Sequence, residues 1–308
     1  MTFAQLRTFV ALAATGSVHG AAKQLNVSQP AVSAAVGALQ KDLGVKLVSR
    51  DGRGLQLTPE GVTFSSYARK LLGLLDEGQK AMRSSHDPEH GHVRLAAVTT
   101  AGEHVLPRAL ATFRSRYPDA EISLEVGNRD RIWDLMEHRE ADIAIGGRPP
   151  GRAFRTIATR PNRLVVVARS RSDGVRLRCV EVDELAGQTF LLREPGSGTR
   201  STAEEFLDDL RIAPPTLTVG SNGSIKESVL VGLGVTLISH DAVARDLEDG
   251  TLEQWQCDGL PLDRAWHLVA RSSEPLPATA ALFVAHLTGA GNTGGMNEGF
   301  TLVSPPPA

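Results

Sequence analysis

From residue 92 to residue 270, short apolar stretches that read as strands alternate with segments of helical spacing, and no other feature of the sequence narrows the fold as much. His92–Val98 reads as a strand. Val105, Leu106, Ala109, Leu110 and Phe113 mark a helix that ends before Pro118. Ile122, Leu124 and Val126 alternate as a strand, 129–138 is helical, and 141–145 is a strand again. Further strands are expected at 164–168, 189–192, 217–219, 235–239 and 266–270. Such βα alternation implies mostly parallel sheets with helices on both faces, an α/β fold. About 200 residues are enough for two lobes of this kind. In open α/β sheets, ligands sit beyond the carboxyl ends of the strands, close to helix N-termini.

Three stretches hold that position. Thr99-Thr100-Ala101-Gly102 follows the first strand and opens a helix, Gly146-Gly147 follows the third, and Pro195-Gly196-Ser197-Gly198-Thr199-Arg200 follows a later strand and opens another helix. In the last, glycines let backbone N–H groups converge, Ser197 and Thr199 add hydroxyls, and Arg200 adds a cation or points to solvent. That set suits a carboxylate, phosphate or sulfate. It lacks the Gly-Lys-Ser/Thr of a nucleotide loop and the Gly-x-Ser-x-Gly of a hydrolase elbow. A well-capped turn without a ligand has the same composition.

The first 58 residues keep a different period. Phe3, Leu6, Phe9, Val10 and Ala13 predict a helix over 3–14, which Thr15-Gly16-Ser17 ends. A short Ala-rich helix over 18–25 follows, then a tight turn at Asn26-Val27-Ser28. Ser28 can cap a third helix, with Pro30 in its first turn, where a missing N–H costs nothing. Val32, Val36, Leu39 and Leu43 form its buried stripe, which leaves Gln29, Pro30, Ser33, Ala34, Gly37 and Lys41 on or near the opposite face. This pattern fits a helix-turn-helix, and equally a plain three-helix bundle. The continuation favours the former. Residues 45–50 read as a strand, Asp51-Gly52-Arg53-Gly54 as a hairpin turn, and 55–58 as the return strand, which places Arg50 and Arg53 at the tip of a wing. Gln can pair bidentately with adenine, Ser can bond either base type, and Pro or Ala can touch a thymine methyl. The wing arginines suit phosphate or a minor groove. Charge agrees: residues 1–58 carry six Lys/Arg and two acids (+4), while the other 250 carry −6. A basic head on an acidic body is suited to a polyanion.

Thr58-Pro59 starts a helix that runs to about residue 84 and spans roughly 40 Å at ~1.5 Å per residue. Phe64, Tyr67, Leu71 and Leu74 form one seam, and Ala68, Leu71, Leu75, Gly78 and Met82 another, both near heptad spacing. Either a pairing helix or a surface helix packed on its own domain fits. His86-Asp87-Pro88-Glu89-His90-Gly91-His92 could ligate a metal, but a polar hinge needs the same residues, and no metal is expected. Residues 291–308, rich in Gly, Asn and Pro, read as a mobile tail.

Composition removes other classes. With 41% hydrophobic and 22% charged residues the chain is neither disordered nor collagen-like. No apolar run approaches ~18 residues. The N-terminus lacks the pattern of a signal peptide. Cys179 and Cys257 make no disulfide framework. A cytoplasmic location is expected.

The chain resembles the LysR-type transcriptional regulators. The residues that carry this are Gln5-Leu6-Arg7-Thr8-Phe9, Gly16-Ser17-Val18, Ala21-Ala22-Lys23-Gln24-Leu25 and Val27-Ser28-Gln29-Pro30-Ala31-Val32-Ser33. They continue through Leu39, Leu43-Gly44-Val45-Lys46-Leu47-Val48-Ser49-Arg50 and Leu57-Thr58-Pro59-Glu60-Gly61. The loops at Thr100-Ala101-Gly102-Glu103 and 194–200 look like the subgroup that contains the CbbR and CysL regulators. The resemblance implies a winged helix-turn-helix at 1–58 that binds DNA through Ser28, Gln29, Pro30, Ser33, Ala34, Arg50 and Arg53, and a linker and dimerisation helix with hinge at 59–88. It further implies an effector-binding domain at 89–290, similar to periplasmic binding proteins, with lobe I at 89–161 and 265–290 and lobe II at 162–264. Matching pocket positions are Thr99, Thr100, Asn128, Gly146, Ser197, Gly198 and Thr199, to which Arg200 is added. The implied partners are double-stranded DNA with an inverted repeat, a homodimer through the linker built up to a homotetramer, and RNA polymerase. The implied ligand is a small anionic effector, with no cofactor. The family often has a long polar side chain after Ser33; Ala34 here shifts expected specificity towards shape readout and wing contacts. An exported solute-binding protein would explain the lobes but not the N-terminal head. An enzyme would need a nucleophile–base pair or metal cluster, which the sequence does not place around Ser197.

Overall fold

The computed structural model describes residues 1–51, 54–84, 87–171, 176–289 and 299–303. They form two compact units, Met1–Arg83 with Glu137–Glu140, and the rest of the described chain. No helix among the described residues is long and apolar enough to cross a membrane.

In the first unit, α1 (Phe3–Thr15), α2 (Val18–Leu25) and α3 (Gln29–Leu43) each begin at a hydroxyl cap and end at a left-handed residue. Thr2, Ser17 and Ser28 accept from the backbone N–H of Gln5, Gly20 and Ala31, and Gly16, Asn26 and Gly44 take positive φ. The helices meet in one core that contains Leu6, Phe9, Leu12, Ala21, Val32, Val36 and Leu39. The wing is the antiparallel pair β1 (Val48–Asp51) and β2 (Gly54–Leu57). Its first strand starts later than residue 45. Gln40 Oε1 accepts from the N–H groups of Leu47 and Val48, and the Leu47 carbonyl accepts from Thr58, so 45–47 is held as a loop. Next comes α4 (Pro59–Ser84). A Cβ on Gly61 would stand 1.9 Å from the Leu47 carbonyl oxygen, so the first turn of α4 seats on that loop only as glycine. The expected seams on α4 are corrected in part. Phe64 packs on Phe9 with ring centroids 5.7 Å apart and Ala68 is fully buried, because both complete this unit's own core. Tyr67, Leu71 and Leu74 remain exposed.

In the second unit, β3 (His92–Val98) lies between the parallel strands β4 (Glu121–Gly127) and β5 (Ile143–Gly146), joined through α5 (Leu106–Arg116) and α6 (Arg129–Glu137). A wide π-type turn, Ala101–Val105, leads into α5. β6 (Phe154–Arg169) runs from lobe I into lobe II. Lobe II holds β7 (Leu177–Cys179), α7 (Val182–Ala186), β8 (Phe190–Leu192), α8 (Gly198–Asp209), β9 (Thr216–Thr218), α9 (Asn222–Leu230), β10 (Thr236–Ser239), α10 (His240–Glu248) and β11 (Leu252–Gln256). β12 (Leu262–Arg271) returns beside β6, with Asn162 opposite Arg264 and Pro161 opposite Ala265, and α11 (Ala278–Thr288) closes lobe I. The sheet is mixed rather than mostly parallel. β6 pairs antiparallel with β10, β11 and β12 because the two lobe-crossing strands are the outward and return legs of one excursion. Phe113, Ile143, Leu268 and Phe283 centre one core, and Val166, Phe190, Phe206, Leu237 and Trp255 another.

The tail expected from residue 291 is corrected at 299–303. Thr301–Leu302 forms β13, antiparallel to β6 at Thr159 and Ala158, and Phe300 is buried in the lobe I core. Gly, Asn and Pro dominate the composition of that region, but burial of one Phe is worth about 1.5–3 kcal/mol, enough to dock a short strand. In the hinge, Asp87 caps the turn Pro88–His90 and approaches His90 Nδ1 at 2.8 Å, while His86 lies outside the described residues. No metal-type cluster occurs among the described residues.

Candidate functional site

Two surfaces carry the candidate residues. On α3, Ser28, Gln29, Pro30, Ser33 and Ala34 are all exposed, because Val32, Val36 and Leu39 turn the other face into the core. The Ser28 hydroxyl is committed to capping Ala31 N–H. Gln29 Nε2 lies 3.3 Å from His19 Nδ1 on α2. Arg50 sits on β1, paired in register with Leu55, and Arg53 lies outside the described residues.

The second surface is a cleft of about 870 Å³ between the lobes of the second unit. Thr99, Thr100, Asn128, Ser197, Gly198 and Thr199 all line it. Lobe I brings the ends of β3 and β4, and lobe II brings the loop after β8 and the N-terminus of α8. Ser197 is the N-cap of α8 and is 4% exposed, yet its side chain makes no cap bond. Gly196 has φ +85°, and a Cβ there would stand 2.6 Å from Asp130 Oδ2 and 3.1 Å from Asn128 Nδ2, so a glycine is what lets this loop approach lobe I.

Hydrogen bonds join the lobes at the back of the cleft. Buried Arg193, at the end of β8, donates to Asn222 Oδ1 and to Thr99 Oγ1 (3.4 Å), and grips Glu194 with two bonds of 2.7 and 2.9 Å. Asn222 Nδ2 donates to Thr100 Oγ1 at 2.7 Å. Thr100 thus spends acceptor capacity on lobe II and keeps its own proton to donate. Nearer the crossover, Ser239 donates to Asn162 Oδ1 at 2.8 Å, and Arg160 holds Asp241 at 2.7 and 3.1 Å. Burial alone would raise the Asp241 carboxyl, but the hydrogen bond and charge of Arg160, with Trp266 and His240, bring it below its ordinary value.

Two expected residues are elsewhere. Arg200 turns back along α8 and donates to Glu204 (2.8 Å), the Arg193 carbonyl (3.0 Å) and Thr218 (3.2 Å); it stabilises the loop rather than reaching into the cleft. Gly146 ends buried β5 against Ile132 and Val98, and it is Gly147 that lines the cleft. Conversely, Arg129, Arg148, Arg193 and His267 line the cleft and were not anticipated. Three of them stand within two residues of a strand end: Arg129 after β4, Arg148 after β5 and Arg193 after β8. The strand-end rule extended by one residue finds them. Among the described residues Arg129 and Arg148 have no ion-pair partner, so the cleft holds two guanidinium charges beside a helix N-terminus, a setting for an anion. His267 Nδ1 lies 3.1 Å from Thr156 Oγ1, and burial first, then the charge of Arg148, pulls its imidazole below the ordinary range.

Comparison with known proteins matches both surfaces. Residues 3–62 fit the model described as "Bacterial regulatory helix-turn-helix protein, lysR family", and residues 86–291 fit "LysR substrate binding domain". The HTH-type transcriptional regulator CbbR of Rhodospirillum rubrum is 34% identical over 94% of this chain and 96% of its own length. The crystal structure of CbnR, a LysR family transcriptional regulator, superposes with a TM-score of 0.68 over 95% of this chain and 100% of its own, at 21% identity. The CcmR regulatory domain of Synechocystis PCC6803, solved in complex with 2-PG, covers 66% of this chain and 98% of its own, with a TM-score of 0.57 and 27% identity. The exposed face of α3 lies within the helix-turn-helix match and the cleft within the substrate-binding match; the chain is a DNA-binding transcriptional regulator and belongs to the LysR family.

Proposed function

We propose that this regulator binds a small anionic metabolite between its lobes and that the bound anion changes its action on an inverted-repeat operator in the cytoplasm. The observation that carries this is the cleft itself: Arg129 and Arg148 without ion-pair partners among the described residues, and the uncommitted hydroxyl of Ser197 at the start of α8. Thr99, Thr100 and the backbone N–H groups of Gly198 and Thr199 complete the anion's contacts, without a resident cofactor. A bound anion shifts the protein only by preferring one arrangement of the lobes, and couplings of about 1–3 kcal/mol are usual. Exposed Tyr67, Leu71 and Leu74 on α4 support a homodimer through this helix, and two dimers a homotetramer. RNA polymerase is the further partner at the promoter. A mobility shift with DNA from upstream of the chain's own gene, run across salt and a panel of small anions, tests the reading. Affinity that depends on one anion at constant ionic strength supports it. Affinity that follows ionic strength alone overturns it.

A further inference from the structure

We propose that anion binding in the cleft is coupled to protonation of His267, so that one site senses both ligand and pH. This rests on the anion reading above. His267 stands on β12 and lines the cleft, with Nδ1 3.1 Å from the Thr156 hydroxyl on β6. A hydroxyl is the one common partner that serves both protonation states. It donates to a bare Nδ1 and accepts from Nδ1–H, so the ring keeps its orientation when it gains a proton. Nε2 has no hydrogen-bond partner among the described residues.

The charges around the ring set the direction. Arg148, from the loop after β5, is the neighbouring charge, and Arg129 lines the same cleft without an ion-pair partner among the described residues, while Arg193 and Arg264 line it paired with Glu194 and Glu205. The acids there lie against arginines: Glu205 is 4.0 Å from Arg264 within the cleft, and Asp263 is 3.5 Å from Arg163. Burial and Arg148 therefore disfavour the protonated ring when the cleft is empty. An anion beside Arg148 reverses the local field. The ring then takes up a proton from solvent, and Nε2–H donates to the anion while Nδ1–H donates to Thr156. By linkage, affinity is constant above the pH at which the ring titrates in the complex. It rises as pH falls through that value, and levels off below the lower value of the empty cleft.

Sulfate is a suitable probe because its own charge does not change between pH 5.5 and 8.5. In the full-length protein, the His267 ring resonance, assigned with His267→Gln, is titrated with and without sulfate, and sulfate affinity is measured calorimetrically at pH 8 and pH 6. The expected results are a His267 midpoint about one unit higher with sulfate and binding several-fold tighter at pH 6 than at pH 8, within the roughly tenfold limit that a one-unit shift sets. His267→Gln flattens this pH dependence. If sulfate binds at Ser197–Thr199 with equal affinity at both pH values and the midpoint does not move, the coupling is overturned and the anion reading stands. A pH dependence that survives in His267→Gln likewise overturns the coupling. Absence of sulfate binding overturns both.

Discussion

On α3, Gln29 and Ser33 stand in solvent on a helix whose every turn comes from fifteen consecutive residues. In the cleft, Thr100 and Ser197 are each 4% exposed and come from strand ends almost a hundred residues apart in sequence, and Arg193 and Asn222 bond Thr99 and Thr100 across the lobes. The same small polar residue types therefore work in opposite settings. A reading surface is rigid in backbone and free in side chain, so that the partner completes its hydrogen bonds. The back of the cleft is already bonded when empty, so a ligand must fit beside a network that exists. Changes on α3 should alter binding with little effect on folding, whereas changes in the cleft should alter both.

The largest expected effect tests the cleft side of this contrast. Arg193→Met keeps the bulk but strips the partners from Glu194 and Asn222. It should destabilise the effector-binding unit by about 2–3 kcal/mol, because Arg193 is buried while Glu194 keeps some contact with solvent, and denaturant unfolding measures this. A loss below about 1 kcal/mol would erase the distinction drawn here. Gly196→Ala comes next. Positive φ adds strain of about 1–3 kcal/mol, and the new methyl meets Asp130, so calorimetric sulfate affinity should drop at least tenfold while a mobility shift without anion persists. Gln29→Ala should cost about 1–3 kcal/mol on the specific operator and little on random DNA, with an unaltered thermal midpoint. Equal losses on both DNAs would show that Gln29 does not read bases. The smallest effect is that of Thr100→Val, which loses one hydrogen bond to Asn222 and one donor to the ligand. About 1 kcal/mol of stability should go, together with the anion response of the operator complex, as thermal melts and mobility shifts would record.

These differences also explain what could be read from sequence. The head was legible because its determinants are local: Ser17 and Ser28 cap, Gly16 and Gly44 terminate, and Val32, Val36 and Leu39 repeat at helical spacing. The cleft was half legible. Glycines, serines and threonines after strands mark a place where an anion fits, so Thr99, Thr100 and Ser197–Thr199 were found. Long side chains can fold back, however, and whether Arg200 or Arg193 enters the cleft depends on Glu204, Thr218 and Asn222, none of which is adjacent in sequence. Of the sixteen-residue strand β6 the sequence shows only 164–168, because Pro161 lacks an N–H and reads as a break. There it sits at the crossover, opposite Ala265. The docking of Phe300 is not legible in the sequence, because a single aromatic in a Gly- and Asn-rich segment carries no periodicity.

Docking of Phe300 and β13 on lobe I has a consequence for synthesis of the protein. Lobe II lies on one uninterrupted stretch of chain, from mid β6 to mid β12, and can close its core while later residues are still being added. Lobe I cannot. Its first strands emerge early, but β12, α11 and finally Phe300 arrive more than a hundred residues later. Domains tend to fold as units in the order they are made, and contacts distant in sequence form slowly. The half of the cleft that carries Thr99, Asn128 and Arg129 is therefore finished last, from parts made at both ends of the effector-binding region. A nascent regulator would acquire its DNA-reading head well before it could respond to a ligand, and a ribosome stalled short of residue 300 would hold a head without a complete sensor.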